Sequence, residues 1–133
     1  MSASVHGIHH VTAIGGEPAV NLDFYTRVLG LRLVKRTVNF DDPTTWHLYF
    51  GDRLGSPGTL MTFFPHPLAR PGRAGSGEVA RITLAVPEGT LERWRERLGA
   101  QRLAVEEAEA GDRHVLQVRD PHGTRLVLIE SAG

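Results

Sequence analysis

Histidine, tyrosine and threonine side chains at alternating positions are the residues of this sequence that could do chemistry. The chain contains seven His and no Cys, so imidazole is its main metal-binding and acid–base group near neutral pH. His10 stands two residues before Thr12, and His47 stands two residues before Tyr49. Side chains two apart share one face of a strand, so each pair points to the same side.

Apolar neighbours indicate which face these residues occupy. Trp46, Leu48 and Phe50 form the apolar face of a predicted strand, so His47 and Tyr49 face the other way. The same alternation in strand 79–86 separates the apolar Ile82, Leu84 and Val86 from Arg81, Thr83 and Ala85. Applied to the remaining strands, it predicts further inward-facing residues: His10, Thr12, Ile14, Leu60, Thr62, Phe64, Arg125, Val127 and Ile129.

Each candidate residue has a structural alternative. His10 is either a metal ligand or a histidine lining a polar cavity. His47 either transfers protons or packs against Tyr49. Tyr49 either donates a hydrogen bond to a phenolate-like substrate or is an ordinary half-buried strand tyrosine. Arg81 either recognises an anion or joins a salt bridge.

The elements that must position these residues occur twice along the chain. Strand patterns cover residues 8–14, 31–40, 46–50 and 58–64, then 79–86, 103–108, 113–119 and 124–130. A helix follows the first strand of each half. The first helix carries the apolar stripe Leu22, Tyr25 and Leu29 before Gly30, and the same spacing recurs in Leu91, Trp94, Leu98 and Gly99, with Thr90 as the N-cap.

This repeat predicts an α+β fold built from two tandem βαβββ modules. Module one covers residues 5–66, a Gly- and Pro-rich linker covers 67–77, and module two covers 78–131. One module alone could not bury both faces of its sheet. We therefore expect the two to form one domain, residues 1–133, with a curved, mostly antiparallel eight-stranded sheet.

Composition argues against several classes of partner. Fifteen basic residues balance fifteen acidic ones, and the pI of about 7.1 gives no electrostatic footprint for nucleic acid or an anionic membrane. No stretch approaches the roughly 20 apolar residues of a membrane helix. The first four residues show no signal-peptide pattern, so a cytoplasmic location is expected.

The tandem βαβββ pattern resembles the vicinal oxygen chelate superfamily, which includes glyoxalase I, extradiol dioxygenases, fosfomycin-resistance proteins and bleomycin-binding proteins. The more specific likeness is to the N-terminal half of hydroquinone-type ring-cleaving dioxygenases, which have four such modules where this chain has two. It rests on five segments: residues 7–14, 22–25, 28–42, 47–52 and 57–65.

The resemblance implies four equivalent metal-ligand positions, which fall here on His10, Thr62, Arg81 and Val127. Only His10 can bind a metal. Glu130 has the parity of the outward-packing residues of its strand, so we do not expect it to be a ligand. A divalent Fe or Mn would thus meet an incomplete ligand set, and a homodimer or a separate C-terminal half chain would have to complete it.

Two functions remain open. The resemblance implies a half-length, metal-dependent extradiol-type dioxygenase acting on hydroquinone- or catechol-like aromatics. Its catalytic residues would be His47 and Tyr49, its metal ligand His10, and its substrate-binding residues Thr12, Thr62, Phe64 and Arg81. The alternative is a metal-free protein of the same fold that binds a small aromatic ligand. Glyoxalase I activity is a weaker option, since the carboxylates it needs are missing.

Overall fold

A computed structural model describes residues 3–5, 7–68, 73 and 75–131. The chain divides into two compact units, Met1–Ala69 and Arg70–Gly133. Each unit contains one helical segment and one four-stranded sheet, in the order strand, helix, three strands. The α+β class and the repeated βαβββ order predicted from the sequence are therefore confirmed. The predicted linker, residues 67–77, lies partly outside the described residues.

The first unit has the strand order β1-β4-β3-β2. Its elements are β1 (His10–Gly15), α1 (Pro18–Asp23), a π-helical turn (Phe24–Val28), β2 (Arg32–Val38), β3 (Trp46–Gly51) and β4 (Leu60–Pro65). β1 runs parallel to β4, whereas the β4–β3 and β3–β2 pairs are antiparallel. The parallel pair is decisive for the site, because it places the first strand of the unit beside the last.

The second unit repeats this arrangement with the order β5-β8-β7-β6. Its elements are β5 (Ile82–Pro87), α2 (Leu91–Ala100), β6 (Glu106–Ala110), β7 (Arg113–Arg119) and β8 (Arg125–Ser131). β6 begins three residues later than the strand predicted at 103–108, and it contains three acidic residues, Glu106, Glu107 and Glu109. They are tolerated since β6 is an edge strand whose charged side chains remain exposed.

The π-helical turn directs the first helical segment into the core. The N–H of Leu29 donates to the carbonyl of Phe24 at 3.0 Å, a bond five residues long rather than four. This wider turn lets Phe24, Tyr25, Val28 and Leu29 all become buried. Tyr25 is fully buried, with its ring centroid 4.6 Å from that of Phe63 and 5.3 Å from that of Phe50.

The N-terminus of α2 is capped differently from the prediction. The Thr90 hydroxyl donates to the carbonyl of Pro87, so it does not cap the helix. The carboxylate of Glu130 instead accepts the N–H of Leu91 at 2.9 Å. At the other end, α2 continues one residue past Gly99, and Arg102 adopts the left-handed conformation with φ 60°.

Within the described part of the chain, no helix has the length and apolar character needed to cross a membrane.

Candidate active site

The candidate site lies on the face of the first sheet opposite the helical segment. The helix-facing side chains of β3 and β4 are Leu48, Phe50, Met61 and Phe63, all buried. Because successive side chains of a strand point to opposite faces of the sheet, the other face carries His47, Tyr49, Thr62 and Phe64. Sheet register then aligns Thr12 with Thr62 and Thr62 with Tyr49 across three neighbouring strands. We call this surface of the first unit the relay face.

A continuous chain of hydrogen bonds joins four side chains of the relay face. The Tyr49 hydroxyl lies 2.9 Å from Nδ1 of His47, and Nε2 of His47 lies 2.9 Å from the Thr62 hydroxyl. The Thr62 hydroxyl is in turn 2.6 Å from that of Thr12. Thr62, which lies between His47 and Thr12 in this chain, is fully buried. Its two hydrogen bonds offset the cost of removing its hydroxyl from water. The predicted parity thus brings all four residues together.

Aromatic contacts hold the His47 ring in place. Phe64 stacks on it with ring centroids 4.1 Å apart, and the Tyr49 ring centroid lies 4.2 Å away on the same strand. The ammonium of Lys35, on β2, sits 5.2 Å from the centre of the Tyr49 ring. Lys35 is not among the residues that the sequence predicts for the site. The register pairing of Lys35 with Tyr49 explains its presence, and no local pattern indicates it.

The protein environment favours the neutral form of His47. Partial burial lowers the pKa of His47 from its ordinary value of 6.5, and the nearby positive charges of His10 and Lys35 lower it further. A neutral imidazole carries one N–H and one lone pair. His47 can therefore donate at one ring nitrogen and accept at the other, which is what a proton relay requires.

His10 lies on the relay face but outside the hydrogen-bonded chain. It is exposed, and its Nδ1 is 3.1 Å from Nδ1 of His9. When Nδ1 of His10 donates this bond, its Nε2 lone pair is left available for a metal or a substrate proton. Strand alternation does not predict this contact, because it places adjacent residues on opposite faces of a regular strand, whereas His9 precedes β1.

The described residues do not fit a complete metal site. They contain no cluster of three or more His, Asp or Glu side chains that could hold a metal ion. Several carboxylates are instead committed to backbone N–H groups. Asp52 accepts from Leu54 and Ser56, Asp120 from His122 and Thr124, and Glu130 from Leu91. His10 is therefore a candidate ligand that belongs to no group of three or more such side chains among the described residues.

Arg81 belongs to the second unit rather than to the relay face. It lies immediately before β5 and is exposed, and it lines a cavity built from residues of that unit. Val127 is buried on the same sheet. Neither side chain can ligate a metal.

Comparison with known proteins gives a consistent result. Residues 7–128 match the model of the Glyoxalase/Bleomycin resistance protein/Dioxygenase superfamily. A Bacillus subtilis protein named "Putative ring-cleaving dioxygenase MhqO" is 48% identical over 130 residues, covering 98% of this chain and 42% of its own. The chlorohydroquinone/hydroquinone 1,2-dioxygenase of Sphingobium indicum is 39% identical over 105 residues, covering 77% of this chain and 33% of its own.

A solved structure extends this likeness to three dimensions. The crystal structure of a "putative dioxygenase" from Bacillus subtilis superimposes with a TM-score of 0.94 at 47% identity, covering 98% of this chain and 42% of that one. The chain thus spans less than half the length of the relatives that it matches.

Proposed function

Because the chain belongs to the glyoxalase/bleomycin resistance protein/dioxygenase superfamily, we propose that it forms one half of a metal-dependent ring-cleaving dioxygenase for hydroquinone- or catechol-like aromatics. The observation that carries the proposal is the hydrogen-bonded chain Tyr49–His47–Thr62–Thr12. Phenolic substrates must give up a hydroxyl proton as they react. Four linked groups around a neutral imidazole can take up that proton at one end and release another at the other end.

The relay can run in two directions. If the Tyr49 hydroxyl donates to Nδ1 of His47, then Nε2 donates to Thr62, which donates to Thr12. In the opposite direction, Thr12 donates to Thr62, Thr62 donates to Nε2, and Nδ1 donates to the Tyr49 oxygen. Uptake of a substrate proton by the Tyr49 oxygen, with release of the Thr12 hydroxyl proton to solvent, converts the first arrangement into the second. One proton thus enters at one end of the chain as another leaves at the other end. His47 changes tautomer and never carries a full charge.

Apolar side chains beside the relay supply a surface for an aromatic ring. Phe64 packs on His47, and Ile14, its register partner on β1, is 57% exposed. Leu60 is half-buried two residues before Thr62. A ring resting on these side chains would direct its hydroxyl at Tyr49 or Thr12. A few polar groups set among apolar ones are typical of small-molecule sites.

In this proposal the chain contributes one metal ligand, His10. A divalent Fe or Mn, when bound, would offer open positions to a chelating substrate and to dioxygen. The further His and carboxylate ligands would come from a second copy of the chain in a homodimer or from a separate C-terminal half. The absence of Cys is compatible with a cytoplasmic location, which we also propose.

The second candidate is a metal-free protein that binds an aromatic ligand. This candidate is favoured because the described residues contain no group of three or more side chains that could bind a metal. The carboxylates of Asp52 and Asp120 stabilise turns instead, and that of Glu130 stabilises a helix end. The relay face would then hold a phenol by the same hydrogen bonds and ring contacts, with no oxygen chemistry.

Calorimetric titration with hydroquinone tests the site itself. Tyr49→Phe and Thr62→Val each remove one relay hydroxyl with little change in shape. Losing a hydrogen bond of about 1 kcal/mol should weaken hydroquinone binding about fivefold. Thr83→Val, a strand threonine of the second unit, is the matched control and should bind as the wild type does. Equal affinities in all four proteins would refute the assignment of the site.

Oxygen uptake separates the two candidate functions. The full chain is supplied with Fe(II) and hydroquinone and followed with an oxygen electrode. Hydroquinone-dependent uptake that is lost in both His10→Ala and His47→Gln supports the dioxygenase. Hydroquinone binding without uptake, under conditions where the chain is dimeric, refutes a homodimeric dioxygenase and favours the metal-free binding protein.

A further inference from the structure

Three arginines form a row across one face of the second sheet. Arg119 on β7 is the register partner of Arg125 on β8. Ile82 is the register partner of Leu126, so Arg81, one residue earlier, stands beside Arg125 where β5 begins. Three guanidinium groups thus occupy adjacent positions on three neighbouring strands. We call Arg81, Arg125 and Arg119 the arginine row.

The arginine row lines a cavity of about 350 Å³. Gln117 and Val127, the next register pair on β7 and β8, lie beside the row. Val127 is buried and supplies an apolar floor, while Gln117 adds an amide. The small side chains of Ala80 and Ala104 leave room at the sides. The cavity therefore combines concentrated positive charge with apolar surface.

Among the described residues, no carboxylate forms an ion pair with any member of the arginine row. Asp120, next to Arg119 in sequence, accepts the backbone N–H groups of His122 and Thr124. Glu106 is the one acidic residue that lines the cavity. Three positive charges therefore face a single negative one.

Like charges at directly opposed strand positions repel each other and destabilise a sheet. A bound anion would relieve that repulsion. The planar fork of a guanidinium matches the two oxygens of a carboxylate or phosphate group. We propose that the second unit binds a small organic anion here, a carboxylate or phosphate group carried on a compact apolar body. The charged group contacts the arginine row, and the apolar body packs toward Val127. Arg81 is also one of the residues expected to bind substrate, so the inference assigns an anionic group to it. The binding test below does not depend on catalysis at the relay face.

Thermal unfolding and calorimetry of the full chain test the site with three probes at equal ionic strength: sodium benzoate, inorganic phosphate and sodium chloride. Benzoate or phosphate should raise the unfolding temperature saturably, and chloride should not. Arg125→Gln, at the centre of the row, should weaken probe binding at least tenfold, and Arg81→Gln and Arg119→Gln severalfold. Arg93→Gln, an exposed arginine on α2, should leave binding unchanged.

Each outcome bears on the inference. Binding of benzoate alone assigns a carboxylate with an apolar body, binding of phosphate alone assigns a phosphate, and binding of both supports their shared anionic chemistry. An equal response to all three salts, or equal loss in Arg93→Gln and Arg125→Gln, would show a general salt effect and overturn the site. If neither benzoate nor phosphate binds at about 10 mM, the site is also overturned.

Discussion

His47 makes the folded chain sensitive to acid. Its pKa is lowered by burial first and by the positive charges of His10 and Lys35 second. The unfolded chain therefore binds a proton at this residue more readily than the folded chain does. Stability from this residue is fully present above the unfolded pKa of about 6.5 and is lost as the pH falls through the lower folded pKa.

Urea unfolding between pH 8 and pH 5 checks this expectation. The midpoint of the wild type should fall as the pH drops below about 6.5. His47→Gln should remove part of that fall, because glutamine does not titrate. The control His122→Gln, in the turn before β8, should keep the wild-type dependence. A pH profile unchanged by His47→Gln would show that other groups cause the acid sensitivity.

At the scale of the elements, packing between the first helical segment and its sheet depends on Tyr25. Tyr25→Ala should cost about 3–5 kcal/mol of unfolding free energy, since the residue is fully buried between two phenylalanines. Trp94, at the equivalent position of α2, is only half-buried, with the Arg97 guanidinium 5.4 Å from its ring. The sequence pattern predicts that Tyr25 and Trp94 are equivalent core residues of their helices. In the structure only Tyr25 is fully buried.

Trp94→Ala should therefore cost about 1 kcal/mol, well below the effect of Tyr25→Ala. Denaturant unfolding of both variants measures the difference. Hydroquinone binding should survive in any fraction of either variant that remains folded. A Trp94 variant as unstable as the Tyr25 variant would show that α2 buries its tryptophan more deeply than the structure indicates.

Glu130 connects the last strand to the start of α2. Backbone N–H groups of Leu91, Gly89 and Thr90 lower the pKa of its carboxyl below the ordinary 4.5. The stability that it provides is present above about pH 4.5 and is lost as the pH falls through the lower folded pKa. Glu130→Gln should lower the urea midpoint at neutral pH and flatten its decline below pH 4.5. The exposed Glu88→Gln is the control, and equal midpoints for the two variants would refute the cap.

At the scale of the whole molecule, we expect the chain to bind metal weakly when alone. Among the described residues, His10 belongs to no group of three or more metal-binding side chains, and one or two imidazoles hold Fe(II) or Mn(II) poorly. Elemental analysis after dialysis should find far less than one metal per chain, and light scattering should find a homodimer. Stoichiometric metal that survives dialysis and disappears in His10→Ala would instead show that the dimer completes the ligand set.

The sequence by itself determined the order of the elements and the faces of their residues. Alternation is a local property, so His47 and Tyr49 could be assigned to the face opposite Leu48 and Phe50 without knowledge of neighbouring strands. The duplication was also visible, because the helical stripes and strand patterns recur at matching spacings. The resemblance places three further metal-ligand positions at Thr62, Arg81 and Val127, and the residue types found there cannot ligate a metal.

Only the tertiary structure decided which of those residues touch. The Thr12–Thr62 hydrogen bond joins residues 50 positions apart, and it depends on β1 pairing in parallel with β4. The Glu130 cap of α2 bridges 39 positions, and the arginine row depends on the register of three strands. Register and strand order arise from packing of the whole unit, so no local pattern encodes them.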